Sequence, residues 1–238
     1  MGSARKTARL AGVLFIVTFV TSIPALALYG PVLNDAHYVL SAGADTRIAL
    51  GAFLEVILAA AGIGTAVTLF PVLRRQSEGM ALGYVTARVF ESTMIAVGII
   101  SVLSVLTLRQ DFAGSSGAGA ISFVVAGKTL VAIHKWTFLL GPAFVSGAGN
   151  GLLLGSLMYR SGLVPRPMAV LGLAGGSLAL AAATAELFGL FPQVSAAAAI
   201  VTLPEAVWEA SLGIWLIVKG FRPSPILIDD SRTAATVA

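Results

Sequence analysis

Eight ionisable side chains interrupt the apolar stretches of this 238-residue chain: Glu55, Arg88, Glu91, His134, Lys135, Glu186, Glu205 and Glu209. Their spacing suggests chemistry. Arg88 and Glu91 stand three apart and Glu205 and Glu209 four apart, so on a helix each pair shares a face. Arg88 then pairs with Glu91. Glu205 and Glu209 are stacked carboxylates with Trp208 beside them, and in low dielectric they resist being ionised together unless a cation intervenes. Five glutamates face two permanent cations, Arg88 and Lys135, which leaves three carboxylates uncompensated, or two with His134 protonated. In hydrocarbon such an excess must take protons, meet water or hold a cation.

Composition sets that apolar background. The chain is 57% hydrophobic and 11% charged, with mean hydropathy +0.93. A soluble domain carries roughly a quarter charged residues, so this one cannot cover a surface in water. A disordered chain is excluded. Nucleic acid is not an expected partner, because the 15 Lys and Arg form no dense patch. The absence of cysteine excludes disulfides, thiolate metal sites and cysteine nucleophiles.

Six stretches, 10–28, 48–73, 82–108, 130–157, 168–190 and 196–218, are apolar and long enough to cross a core of ~30 Å at ~1.5 Å per residue. The expected fold is all-α, a six-helix transmembrane bundle embedded in the lipid bilayer. Residues 1–9 are a cytoplasmic N-terminus, 10–220 the six-span domain and 221–238 a disordered cytoplasmic tail. Ten Lys and Arg fall on the side of the termini and three (Arg47, Arg109, Lys128) on the other, which places both termini in the cytoplasm of a multi-pass cell-membrane protein. Arg5, Lys6 and Arg9, the following apolar run and Ala25-Leu26-Ala27 also fit a cleaved signal peptide; the retained helix keeps the span count even. The Gly-, Ser- and Ala-rich stretch 111–127 reads as a mobile outer loop. Counting residues puts Glu55, His134, Lys135 and Glu186 within roughly 6–11 Å of the outer edge. Glu91, Glu205 and Glu209 come out near the midplane, with Arg88 a turn closer to the cytoplasm. Asn150 reaches the inner half.

Small residues recur every four positions at Ala143, Gly147, Gly151 and Gly155, with shorter echoes at Gly172 and Gly176 and at Ala60, Gly64 and Thr68. Such a face lets another backbone approach closely. Two readings are open: packing inside one bundle, or a homodimer through Gly147, Gly151 and Gly155. Pro24, Pro142 and Pro204 each remove a helix hydrogen bond, and a kink at Pro204 would widen the bundle around Glu205. No metal is expected, since His134 with Glu55 and Glu186 lacks tight ligand spacing. A G-x-S-x-G elbow and a P-loop are both absent from the sequence, and no cofactor is expected. Val89–Thr93 faintly echoes Val207–Ser211, as inverted halves would.

Ala8-Arg9-Leu10-Ala11-Gly12-Val13-Leu14-Phe15, Arg88-Val89-Phe90-Glu91, Arg160-Ser161-Gly162-Leu163-Val164-Pro165-Arg166 and Glu209-x5-Trp215-Leu216-Ile217-Val218-Lys219-Gly220 occur in this order. In that order they resemble a bacterial integral-membrane family catalogued as a domain of unknown function (domain of unknown function 4386). The resemblance implies a six-helix membrane protein and carries no catalytic roles. The candidate acid groups are Glu91, Glu205 and Glu209, and Arg88, Glu55, His134, Trp136, Glu186 and Trp208 are the candidate ligand contacts. Three functions fit. The first is binding or passing a small solute, proton or cation. The second is an intramembrane acid–base enzyme acting on a lipid or isoprenoid, terpene-cyclase-like, in which a protonated glutamate is the acid and Trp136, Trp208 and Phe90 steady a carbocation. The third is an accessory or immunity protein docking on a partner.

Overall fold

An apolar segment in hydrocarbon has no partner for its backbone N–H and C=O groups except its own chain, so helix is the open-ended solution. The computed structural model describes residues 3–35, 37–41, 45–112, 116–193 and 195–227. Six helices within it are long and apolar enough to span a membrane: α1 (Ser3–Leu28), α2 (Asp45–Leu73), α3 (Glu78–Phe112), α4 (Gly119–Ser161), α5 (Arg166–Leu187) and α6 (Ala196–Val218). Among the described residues there is no strand. The chain is therefore an all-α, multi-pass membrane bundle.

The connections are short and locally determined. Gly162, at φ +67°, ends α4 in the left-handed conformation, and its N–H closes the last turn on Met158 O at 3.1 Å. Ser195 caps α6, its Oγ accepting from Ala198 N at 3.2 Å. Between α1 and α2 lie a short helix, Gly30–Asn34, and a 3-10 turn, Tyr38–Leu40. Arg109, 3% exposed, pins that connection to the end of α3 by donating to Ser41 O, Tyr38 OH and Asp45 Oδ1 at 2.7–2.8 Å.

The fourth span departs from its expected bounds. Instead of 130–157 preceded by a loop over 111–127, α3 runs on to Phe112 and α4 begins by Gly119. Residues 113–115 lie outside those described. Ile121, Phe123, Val124 and Val125 give the Gly- and Ala-rich stretch enough apolar side chain to pack as helix, and Phe123 stacks on Phe112 with centroids 3.7 Å apart. At 43 residues a straight α-helix would be about 65 Å long, twice the hydrocarbon thickness. Part of α4 therefore stands outside the membrane or is strongly tilted. Its middle is π-helical over Leu139–Ala143, which includes Pro142, and again over Ser146–Leu154.

Each helix packs on its neighbours in sequence, and α6 closes back on α1, so the six form a ring. The α1–α6 closure is tight, since a Cβ on Gly12 would lie 2.6 Å from Gly213 O. Arg5 Nη2 donates to Val218 O at 2.7 Å, which puts the start of α1 and the end of α6 on one face of the bundle. Of the segment expected to be a disordered tail, Phe221–Leu227 packs on that face. Arg222 N donates to Leu163 O at 2.8 Å and Ser224 Oγ to Ser161 O at 2.6 Å. Residues 228–238 lie outside those described.

The half of the ring nearer the termini is filled by a fully buried cluster that includes Phe15, Leu69, Tyr84, Leu154, Leu157, Trp208, Leu212 and Leu216. Outward-facing Val20, Ile23, Phe53, Ile100 and Ile200 are 60–70% exposed, a sleeve suited to lipid. Between α4 and α5 the backbones nearly touch. A Cβ on Gly176 would lie 2.6 Å from both Gly147 O and Gly151 Cα, and one on Gly155 would lie 3.3 Å from Leu173 N. The face carrying Gly147, Gly151 and Gly155 packs against α5 of the same chain. Gly176→Ala is expected to cost about 1–3 kcal/mol through overpacking, read as a lowered unfolding midpoint in detergent. Gly79→Ala, where a Cβ meets nothing within 4 Å, should leave the midpoint unchanged or raise it.

Candidate functional site

The other half of the ring is only partly filled: a second buried cluster, with Tyr29, Ile48, Ile99, Val102 and Val105, packs one side of it. A cavity of about 430 Å3 runs from Gln193 and Ser195, on the side opposite the start of α1 and the end of α6, to Arg88, Ser146 and Glu209 midway along the helices, and all six helices line it. Its walls are mostly apolar, with Phe19, Leu58, Ile95 and Phe138 prominent. Glu55, Glu91, Glu186, Glu205 and Glu209 all line it, and Arg88 is the one cation among its lining residues. Lys135 does not balance the acids: it is exposed and borders a separate outer cleft with Lys128. The excess of carboxylate over cation inside the bundle is thus larger than the sequence count.

The carboxylates differ in how they are held. Arg88 is 4% exposed and Glu91 8%. Arg88 Nη1 donates to Glu91 Oε2 at 2.6 Å across one turn of α3, and Arg88 Nε donates to Gly62 O of α2 at 3.2 Å. Gly62 makes this possible, because a Cβ there would stand 3.0 Å from Arg88 Nη2. Glu209 is half-buried and has neutral donors: Ser146 Oγ at 2.8 Å and Asn150 Nδ2 at 2.7 Å, both to Oε1. Ser146 and Asn150 are four apart on α4, so one helix face supplies both. Glu55 accepts from Tyr29 OH at 2.9 Å.

Glu205 has nothing. It is 3% exposed, and neither carboxylate oxygen has a hydrogen-bond partner among the described residues. It sits where α4, α5 and α6 cross, in space left by glycines. A Cβ on Gly151 would come within 2.8 Å of Glu205 Oε2, and one on Gly175 within 2.9 Å. The same Gly175 position would lie 2.6 Å from Glu205 N, so beside Pro204 the bundle is narrow, not widened by a kink. The room around Glu205 comes from the neighbouring helices.

The remaining candidates fall elsewhere. Trp208 is fully buried in the apolar cluster beneath the cavity, with its ring against Gly172 and its Nε1 donating to Asn150 O at 3.0 Å. Trp136 is 50% exposed and Phe90 45%, and neither lines the cavity. The three rings assigned to a carbocation are therefore not gathered around the acids. His134 is 5% exposed and stands edge-on to Tyr29 at 5.5 Å, behind the cavity wall, with no partner for Nδ1 among the described residues. Glu186 lies at the outer mouth. Tyr29 and Ser146 are the polar groups that residue types alone did not single out. Ser146, one four-residue step before Asn150, was the readable signal. Among the described residues no three His, Asp or Glu side chains gather as a metal site.

In comparisons with known proteins, residues 10–220 match the family described as Domain of unknown function (DUF4386). No curated protein and no solved structure matches the chain.

Replacing Arg88 by Ala leaves Glu91 buried without its cation and should cost about 3–5 kcal/mol. Exchanging the pair together for Arg88→Met and Glu91→Leu should restore most of the loss. Thermal unfolding of the two variants in one detergent checks this, and a double variant no more stable than Arg88→Ala would show that the pair is not what Arg88 serves.

Proposed function

The chain belongs to the family described as Domain of unknown function 4386, and since that description carries no reaction, we propose from the cavity's geometry that the protein binds a small solute, proton or cation inside its bundle. The observation that carries this is Glu205, a buried carboxyl without donor or cation in a cavity walled by all six helices. Ligand sites typically enclose ~300–1,000 Å3 and set a few polar groups in apolar walls, a description that fits this cavity. Glu91, Glu205 and Glu209 are the binding or proton-carrying groups in this reading. Arg88 holds Glu91, and Glu55 and Glu186 stand along the way in.

The distribution of Lys and Arg supports a cytoplasmic-membrane protein with both termini in the cytoplasm, so the cavity faces outward. Passage to the cytoplasm would require Trp208, Leu212 and Leu216 to part. Because the chain has no cysteine, single replacements report access cleanly. A membrane-impermeant maleimide added to intact cells should label Gln193→Cys and Thr202→Cys but not Ser77→Cys. Labelling of Ser77→Cys alone would reverse the orientation.

Native mass spectrometry of the purified protein, with extraction of bound metabolites and lipids, tests occupancy. A small species present in the wild type and lost in Glu205→Gln/Glu209→Gln is the expected result. Species equally retained by the double variant, or none in either protein, would count against a ligand site at these acids.

A further inference from the structure

The chemistry of the cavity narrows its occupant. This step rests on the binding reading just given. A carboxylate cannot be left bare in an apolar interior, so Glu205 without a cation beside it is the neutral acid. The groups around the cavity floor fit that state: glycines of α4 and α5 lie against Glu205, Glu209 one turn along its own helix is held by Ser146 and Asn150 of α4, and Arg88 is already committed to Glu91 and Gly62 O. No charge is left over for Glu205.

A bare metal ion is a poor replacement for that proton. Hard cations need about six or more oxygen ligands, whereas Glu205 Oε2 rests among glycine backbone and, among the described residues, no three acidic or histidine side chains gather around it. An organic cation differs. Its charge needs one counter-ion without tight coordination, its body needs apolar wall, and quaternary ammonium heads are also drawn to aromatic faces. Phe19, Leu58, Ile95 and Phe138 supply wall and rings, and Glu205 supplies the counter-ion.

We propose that the cavity takes a small organic cation with an apolar body from the side opposite the termini, and that its charged head displaces the proton of Glu205. The step balances: the carboxyl O–H breaks, the proton leaves to bulk water, and the carboxylate keeps the electron pair and pairs with the incoming cation. Proton and cation exclude each other at this carboxyl, so the site exchanges one for the other.

Titration calorimetry with benzyltrimethylammonium on the full chain in detergent tests this, run in two buffers of different ionisation enthalpy. Expected are saturable binding, close to one proton released per cation, and binding weakened about tenfold or more in Glu205→Gln with no linked proton. Neopentylbenzene, the uncharged isostere, needs no variant and should bind about tenfold more weakly or not at all. Equal binding of the two probes, binding without proton release, or binding unchanged in Glu205→Gln would each overturn the proposal. If the cation fails while mass spectrometry still finds a species lost in Glu205→Gln/Glu209→Gln, the occupant class is wrong and the binding reading stands. If both fail, both readings fall.

Discussion

Backbone contact between α4 and α5 is the constraint on which the rest of the molecule depends. In a bilayer there is little hydrophobic drive to bring helices together, because lipid tails are as apolar as leucine. Association then depends on how closely backbones can approach, and Gly147, Gly151 and Gly176 let these two helices touch. Gly151 on this seam, with Gly175 beside Gly176, also leaves the space that Glu205 fills from α6. Packing and site are therefore one arrangement: a larger residue on the seam would both part the helices and evict the acid.

Within one cavity the protein handles buried carboxylates in three ways. Glu91 has a permanent cation one turn away. Glu209 and Glu55 have neutral donors, Ser146 and Asn150 for one and Tyr29 for the other. Glu205 has neither. The first two cases have at least one hydrogen-bond donor to their carboxyl oxygens, and in the first the charge is paired as well. Glu205 is incomplete without a proton or a positively charged occupant, which separates it from the other acids although all of them line the same walls.

Most of the architecture was legible because spanning a membrane is a matter of length and composition. The spans over 48–73 and 196–218 carry their own boundaries, and α6 begins and ends where its apolar run does. The start of α4 was hidden because 116–127 is rich in Gly, Ser and Ala, residues that serve loops and close helix packing alike. The site was legible by residue type and not by direction. These helices are apolar nearly all round, so sequence cannot say which face points inward. Depth alone made Lys135 look like a counter-ion for the acids and Trp136 and Trp208 like ligand contacts. Their helix faces turn Lys135 and Trp136 outward and Trp208 into the packed cluster below.

Asn150 ties the site to the floor beneath it. Its side chain donates to Glu209, and its backbone oxygen receives the indole N–H of Trp208, whose ring lies against Gly172 of α5. All of this happens within the π-helical stretch Ser146–Leu154, a form often found at functional sites. Glu209 cannot lose its Asn150 donor by a shift of α4 without also disturbing the contact that holds Trp208 in the packed half of the ring. Glu209 at the bottom of the cavity and Trp208 in the apolar plug that closes it are thus linked through one residue on one helix, and a rearrangement that separates them must pass through that segment.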